Sequence, residues 1–258
     1  MTSSGRRPLV AGNWKMNTTV PEALILTTAI RQRLEPDPLA EVVLLPPFIS
    51  VWAVQQLLDG DPRIAVGAQD CFWEKSGAYT GQVSGEMLQG SCEHVLVGHS
   101  ERRQLFGDTN QTVRRKLEAV LAAGLSPLLA MGETAEERST GKREVVLREQ
   151  VRSGLSDLLP ADLRRCTLAY EPVWAIGAGR TAEPGEIVGA VAEIREVLDE
   201  LDPRAASELR VLYGGSVTAA SAPAILGLAE VDGALIGSAS LDPEEFCAIV
   251  AVAGLTSN

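Results

Sequence analysis

Histidine and cysteine are scarce in this chain of 258 residues, which has two of the first and four of the second. The cysteines (Cys71, Cys92, Cys166 and Cys247) lie far apart without a CxxC pair. Such spacing predicts free thiols in a cytosolic protein and no zinc site. Long hydrophobic runs are also missing, so the sequence predicts neither a membrane span nor a signal peptide. We therefore expect a cytoplasmic protein without a bound metal.

Basic residues are in deficit: 23 lysines and arginines against 34 aspartates and glutamates give a formal net charge of −11. A strongly acidic chain disfavours nucleic acid and anionic membrane surfaces as partners. It also disfavours an anionic small substrate, unless the binding pocket is locally positive. The remaining composition, with 45% hydrophobic and 22% charged residues, is typical of a globular protein.

Eight short apolar runs alternate with segments of helical periodicity along the chain. The runs contain β-branched residues and lack polar alternation, which is typical of strands buried on both faces. The predicted strands are Pro8–Gly12, Glu41–Leu45, Ile64–Gln69, His94–Gly98, Leu125–Met131, Thr167–Glu171, Arg210–Gly214 and Gly233–Gly237. The predicted helices are Pro21–Leu34, Val51–Leu58, Gly85–Gln89, Ser100–Phe106, Gln111–Ala123, Ala135–Leu159, Glu183–Leu201, Thr218–Leu226 and Pro243–Val252.

This alternation predicts an α/β fold with parallel strands and right-handed crossovers. Eight units of roughly 30 residues match a (β/α)8 barrel. The competing fold, an open doubly wound sheet, usually carries a glycine-rich nucleotide loop after its first strand. Here that strand leads into Asn13-Trp14-Lys15. No linker or composition break divides the chain, so we expect one barrel domain over residues 1–258, with residues 1–7 as a flexible tail.

Barrel enzymes build their sites from the loops that follow the strands, and Glu171 occupies such a position after the sixth strand. The loop behind it, Val173–Ile176, contains only apolar side chains. Because an apolar cover can desolvate a carboxylate and make it a stronger base, this pattern predicts a catalytic base. The alternative is that the apolar residues continue a buried strand and Glu171 is a solvated strand end.

Two neighbouring loops predict a phosphate site. Gly214-Gly215-Ser216 follows the seventh strand and Gly237-Ser238 the eighth, and glycines let backbone N–H groups approach an anion closely. Lys15, after the first strand, could hold the same anion as a point charge. The alternatives are tight turns that use glycine and an exposed surface lysine.

His99 follows the fourth strand and precedes a predicted helix, whose positive end favours the neutral imidazole. The alternative is a capping or core histidine, a role that we assign to His94 at the other end of that strand. A carboxylate base, a neutral imidazole, a lysine and a phosphate cradle suit one chemistry. They would remove a proton from the carbon beside a carbonyl and stabilise the enediolate, while the phosphate group supplies binding energy.

Five segments resemble signatures of the triosephosphate isomerase family, in order and with suitable spacing from Pro8 to Phe246. They are AGNWKMN, VGHSERRQLFG, AYEPVWAIGAGRTA, LYGGSV and DGALIGSASLDPEEF. The resemblance implies a (β/α)8 TIM barrel that interconverts dihydroxyacetone phosphate and D-glyceraldehyde 3-phosphate without a metal or organic cofactor. The site residues that it implies are Glu171 as base, His99 as electrophile, Lys15 as electrostatic anchor and Asn13 as polar support.

The same resemblance implies partners for the base, the anchor and the phosphate. Ser100 would hold Glu171 in the open state, and Glu101 would pair with Lys15. The phosphate would rest on the backbone N–H groups of Gly177, Ser216, Gly237 and Ser238.

A closing lid over the site is also implied by the resemblance. Trp174 and Glu133 would be lid partners, and Tyr213 would reach Ala182 when the lid closes. The apolar loop after Glu171 would then exclude water and keep the enediolate from expelling its phosphate group.

The family is usually dimeric, and its third loop enters the neighbouring subunit near the asparagine and lysine of the first loop. Here that loop is Asp70–Ser84, with Thr80 at its tip, and it contains Phe72, Trp73 and Tyr79. Aromatic residues on a long loop indicate an interface by themselves, because they are typical anchors of protein contacts. We expect a homodimer through this loop.

Several positions depart from the family pattern: Gln82, Gly85, Ala130, Ala178, Arg180 and Ser238. At these positions, in the same order, the family commonly has a Glu at the interface, a Pro, a Cys behind the base, a Thr and a Lys in the lid, and a Gly in the phosphate cradle. Two alternatives to an active isomerase therefore stay open: a paralogue that acts on a four-carbon ketose phosphate, and a non-catalytic phosphate-binding barrel. The retained Glu171, His99 and Lys15 argue against the second, because mere binding needs no base.

Overall fold

The computed structural model describes residues 5–177, 181–228 and 230–255. Its eight strands form a closed barrel in which each strand pairs with the next, and β1 pairs in parallel with β8. The strands are β1 Leu9–Asn13, β2 Glu41–Leu45, β3 Ile64–Ala68, β4 His94–Val97, β5 Ser126–Met131, β6 Thr167–Tyr170, β7 Arg210–Tyr213 and β8 Gly233–Ile236. The predicted (β/α)8 barrel is confirmed, and each predicted strand is present with its ends shifted by one residue at most.

Helices connect the strands. They are α1 Val20–Arg33, α2 Phe48–Leu58, α3 Gly85–Leu88, α4 Ser100–Phe106, α5 Asn110–Ala122, α6 Ala135–Ser139, α7 Arg143–Leu155, α8 Pro160–Leu163, α9 Pro184–Leu201, α10 Pro203–Glu208, α11 Ala222–Leu226 and α12 Pro243–Leu255. A short 3-10 helix, Ser238–Leu241, follows β8. None of the described helices is both long and apolar enough to cross a membrane.

Four predicted helices are wrong in extent. The helix α2 begins three residues before the predicted Val51, and α12 ends three residues after the predicted Val252. The other two differ more. The segment Ala135–Leu159 is divided because Gly141 adopts a φ of 69°, and its N–H bonds back to the carbonyl of Arg138 at 3.0 Å. A left-handed glycine of this kind ends a helix, so α6 and α7 separate. The segment Thr218–Leu226 becomes helical only at Ala222, because its first residues form a turn closed by side-chain bonds between Thr218 and Ser221.

The core consists of two layers because alternate residues of a strand point to opposite faces of the sheet. Inside the barrel lie Leu9, Ala11, Val43, Leu45, Leu96, Leu128, Ala130, Ala169, Leu212 and Leu235. The residues between them in sequence point outward and pack with the helices in a larger apolar cluster. Apolar packing on both faces explains why the strands lack polar alternation.

Ionisable residues occupy the amino-terminal end of the barrel, at the first positions of β2, β4 and β7. His94 Nε2 lies 2.9 Å from Glu41 Oε1, and Arg210 pairs with the other carboxylate oxygen of Glu41. Burial raises the pKa of Glu41, but its hydrogen bonds and the charge of Arg210 outweigh burial and lower the pKa to about 2. The prediction that His94 lies at the end of the barrel opposite the candidate site is confirmed.

The segment predicted as a flexible tail is described over residues 5–7. Arg6 Nε lies 2.8 Å from Asp232 Oδ1, and Arg7 donates to the backbone carbonyls of residues 38–40. Both side chains therefore contact the amino-terminal face of the barrel directly before β1.

The closing pair of strands requires glycine at position 233, where φ is 135°. A Cβ there would lie 1.9 Å from the carbonyl oxygen of Leu9. We expect Gly233→Ala to lower the free energy of unfolding by about 3 kcal/mol or more, because the backbone of β1 has to shift. Urea denaturation followed by circular dichroism measures this loss.

Gly60→Ala is the matched control, since Gly60 has a φ of 74° but open space where a Cβ would be added. We expect a loss of about 1 to 2 kcal/mol for this left-handed position. Equal losses in the two variants would contradict a steric requirement at the barrel closure.

Candidate active site

A cavity of about 540 Å³ opens at the carboxyl ends of the strands. The loops after β1, β4, β6, β7 and β8 line it, and they bring together these residues singled out from the sequence: Asn13, Lys15, His99, Ser100, Glu101, Glu171, Gly177, Ser216, Gly237 and Ser238. The remaining three, Glu133, Trp174 and Tyr213, belong to the same end of the barrel. Within the described ranges, no group of His, Cys, Asp or Glu side chains is arranged to hold a metal ion.

The Glu171 carboxylate is almost fully buried, with 2% of the residue exposed, and both of its oxygens have partners. Oε1 lies 3.0 Å from Nε2 of His99. Oε2 accepts the backbone N–H of Ser100 at 2.8 Å. A buried carboxylate without such donors would be unstable, so the turn from β4 into α4 holds the Glu171 side chain in place.

His99 presents its Nε2 proton to Glu171, because the backbone N–H of Glu101 faces the other ring nitrogen, Nδ1, at 3.3 Å. Burial lowers the pKa of His99, but the charge of Glu171 and the hydrogen bond to it, together with Glu101, raise the pKa by more. The net shift is upward. The positive end of the helix favours the neutral imidazole, whereas the adjacent carboxylate of Glu171 favours the protonated one. The helix end therefore does not by itself decide the charge of His99.

Lys15 has a strained backbone, with a φ of 52° that side-chain-bearing residues rarely adopt. Two side chains hold it there. Asn13 Oδ1 accepts the Lys15 N–H at 3.0 Å, and Gln69 Nε2 donates to the Lys15 carbonyl at 2.9 Å. The ammonium group lies 2.6 Å from Glu101 Oε1. Among the described residues that line the cavity, Lys15 is the one lysine or arginine, so it supplies the local positive charge that an acidic chain needs for an anion.

Gln69 was not identified as a site residue from the sequence. The available signal was its position, since a polar residue follows the buried strand β3. Gly132 was not identified from the sequence either. In the structure, a Cβ at this position would lie 1.7 Å from the carbonyl oxygen of Glu171. The close approach of β5 and β6 behind the Glu171 side chain therefore requires glycine at this position. Ala130, on the same strand, is fully buried inside the barrel.

Glu133 is fully buried and links the loop after β6 to the barrel. Its Oε1 accepts the indole N–H of Trp174 at 2.8 Å and the hydroxyl of Tyr170 at 3.1 Å. Burial raises the pKa of Glu133, and these hydrogen bonds oppose the rise without cancelling it. Tyr170 is a further residue that the sequence did not single out.

The predicted phosphate cradle lies beside Lys15, since a Cβ on Gly237 would be 3.5 Å from Lys15 Cε. Ser238 is exposed and begins the 3-10 helix after β8. Burial raises the pKa of Tyr213 to about 12, and the backbone of Ala182 opposes this shift. The lid positions Ala178 and Arg180 lie outside the described residues.

Known proteins resemble this chain over nearly its whole length. The sequence model of the family described as "Triosephosphate isomerase" matches residues 8–253. A triosephosphate isomerase from Moorella thermoacetica is 46% identical over 246 residues, which are 95% of this chain and 98% of the relative. One from Chloroherpeton thalassium is 44% identical over 248 residues, again 95% of this chain and 98% of the relative.

A solved structure gives the same result for the fold. The crystal structure of triosephosphate isomerase from Bartonella henselae matches with a TM-score of 0.87 at 36% sequence identity, and the match covers 95% of this chain and 98% of that chain. Because the sequence match extends from residue 8, before β1, to residue 253 in α12, it includes every strand that contributes to the cavity. The chain therefore belongs to the triosephosphate isomerase family.

Proposed function

We propose that this protein is a single-domain triosephosphate isomerase that interconverts dihydroxyacetone phosphate and D-glyceraldehyde 3-phosphate in glycolysis and gluconeogenesis. The observation that carries the proposal is the contact of 3.0 Å between Glu171 Oε1 and His99 Nε2 in the cavity that Lys15 also lines. A base and two electrophilic groups at one cavity suit proton transfer next to a carbonyl. The names of relatives at 44% and 46% identity support the same activity.

Glu171 acts as the base in the proposed mechanism. It removes a proton from the carbon that bears the hydroxyl group beside the substrate carbonyl, and the electrons of the broken C–H bond form the double bond of an enediolate. The Nε2–H of His99 and the ammonium group of Lys15 stabilise the oxygen that becomes negative. A proton passes between the two oxygens, and Glu171 returns its proton to the neighbouring carbon.

The supporting residues keep these groups in position before the reaction. Ser100 and His99 occupy both oxygens of Glu171, so substrate binding has to replace at least one of these hydrogen bonds. Glu101 pairs with the Lys15 ammonium, and Asn13 supports the Lys15 backbone. The side chains of Glu171 and Lys15 are therefore already ordered, so substrate binding does not have to fix their conformations.

We use the name lid for residues 171–183, between β6 and α9, of which the structure describes 171–177 and 181–183. In our proposal the substrate phosphate rests on backbone N–H groups, and the lid closes over it with Trp174 and Glu133 as partners and Tyr213 near Ala182. The apolar residues of the lid exclude water, which protects the enediolate from losing its phosphate. The N–H groups that hold the phosphate are those of Gly177, Ser216, Gly237 and Ser238.

We also propose a cytoplasmic homodimer that forms through the loop Asp70–Ser84. The aromatic rings of this loop stack on each other, with Phe72 4.1 Å from Trp73 and 4.7 Å from Tyr79 between ring centres. Tyr79 nevertheless stays 43% exposed. Pre-ordered aromatic side chains with an exposed face are typical of protein interfaces, because they lose little entropy on association.

Glu171→Asp tests the role of the base. Shortening the side chain by one methylene withdraws the carboxylate from the substrate, so we expect kcat to fall by about 100-fold or more with KM little changed. A coupled assay of triose phosphate turnover measures both constants. Glu144→Asp, an exposed position in α7, is the matched control and should leave kcat unchanged. An unaltered kcat in Glu171→Asp would remove Glu171 from the mechanism.

Glu171→Gln tests the electrostatic coupling between the base and His99. Because the charge of Glu171 raises the pKa of His99 while burial lowers it, we expect the pKa of His99 to fall in this variant. NMR titration of the imidazole signals measures the shift, and the chain has only two histidines to assign. His99→Gln identifies the His99 signals by their loss. A pKa that is unchanged or higher in Glu171→Gln would show that the two groups are not coupled in this way.

The oligomeric state tests the proposed interface. We expect sedimentation at micromolar concentration to give twice the mass of the chain, and Tyr79→Asp to shift the protein towards the monomer by placing a charge in the apolar contact. Lys75→Ala is the control on the same loop, since Lys75 is exposed and pairs with Glu86 of its own chain at 3.5 Å. A monomeric wild-type protein at this concentration would refute the homodimer.

A further inference from the structure

One arginine outside the catalytic groups contacts the beginning of the lid. Arg138, in α6, places its guanidinium carbon 3.8 Å from the centre of the Trp174 ring. The edge of the same indole donates to Glu133 at 2.8 Å. Trp174 is thus held by a hydrogen bond at its edge and by a cation–π contact at its face. The cation–π contact comes from α6, and the hydrogen bond comes from the segment that joins β5 to α6.

The same guanidinium also reaches the helix that follows the lid. Arg138 forms an ion pair with Glu186 in the first turn of α9. The other carboxylate oxygen of Glu186 accepts the N–H of Glu183 at 2.9 Å, and Glu183 is the last residue of the lid. One side chain therefore contacts the beginning of the lid through Trp174 and its end through Glu186.

Arginine suits this position because its flat guanidinium can stack with one face and donate N–H bonds along its edge. A lysine ammonium has no such planar face. The backbone under Arg138 is also well held, since its N–H donates to the Thr134 carbonyl at 3.0 Å. Thr134 in turn caps α6 together with Glu137. The backbone of Arg138 is therefore fixed, and its side chain can hold the lid in position.

We propose that Arg138 is a positioning residue for the isomerisation, which clasps both ends of the lid and restricts its conformations before substrate binds. The inference rests on the proposed function, in which the lid covers the bound phosphate. A lid with fewer free conformations loses less entropy when it closes, so the clasp strengthens the binding of any ligand that needs closure. Arg138 acts through Trp174 and Glu186 and does not touch the reacting atoms.

The experiment compares Arg138→Ala and Arg138→Lys with Arg148→Ala. Arg148 is the matched control because it joins α7 to α9 through Glu200 at 2.6 Å but is not described in contact with the lid. Calorimetry measures the Kd of 2-phosphoglycolate, a phosphate-bearing carboxylate that resembles the enediolate, and a coupled assay measures kcat and KM. Urea denaturation reports the stability of each variant.

We expect Arg138→Ala and Arg138→Lys to raise the Kd of 2-phosphoglycolate and to lower kcat/KM, each by about 5- to 20-fold, from the loss of a partly buried cation–π contact and its ion pair. Arg148→Ala should change either quantity by less than about twofold. Wild-type values in Arg138→Lys, or equal losses in Arg138→Ala and Arg148→Ala, would overturn the inference.

A double-mutant cycle with Trp174→Leu tests whether Arg138 acts through the indole. If it does, Arg138→Ala should raise Kd by a smaller factor in the Trp174→Leu background than in the wild type, because only the contact with Glu186 is then left to lose. The full loss in that background would overturn the inference. A wild-type protein that binds 2-phosphoglycolate without turning over triose phosphate would refute the proposed function, and the Kd comparison would still test the clasp. No binding by the wild type would overturn both.

Discussion

A buried carboxylate must find hydrogen-bond donors, and the arrangement of the barrel mouth depends on how Glu171 meets this requirement. Its donors, the imidazole of His99 and the N–H of Ser100, follow β4, whereas Glu171 follows β6. Because β5 lies between these two strands, the donors reach the carboxylate only when the sheet is curved and continuous. The fold therefore brings an acid–base pair into contact before any substrate arrives.

The two ends of the barrel use polar residues in different ways. At the amino-terminal end, Glu41, His94 and Arg210 stand at the first positions of regular strands, and Glu41 pairs with each of the other two. At the carboxyl end, Lys15 has a left-handed backbone conformation that hydrogen bonds with the side chains of Asn13 and Gln69 help to hold. Paired charges on regular backbone are typical of stabilising contacts, and strained backbone is typical of a functional site.

The barrel could be predicted from the sequence because buried parallel strands leave a local signal, namely short β-branched runs between helical segments. The break at Gly141 was missed because the helical periodicity continues across it. The position of Glu171 after a strand was predictable, but the contacts of Gln69 and Arg138 were not, since they join segments that meet only in the folded chain. The pairing of Trp174 with Glu133 came from the family resemblance and not from any pattern in the residues.

The pairing of β1 with β8 joins Leu9 to Gly233, residues from near the start of the chain and near its end. A ribosome that adds about 5 to 20 residues per second needs roughly ten seconds or longer to synthesise what lies between them. Throughout this time one edge of β1 has no partner strand, and the loop after β8 that completes the cavity does not yet exist. Ligand binding thus becomes available only after β8 and the loop behind it have been synthesised, and the nascent protein has to keep an open sheet edge from pairing with other chains until then.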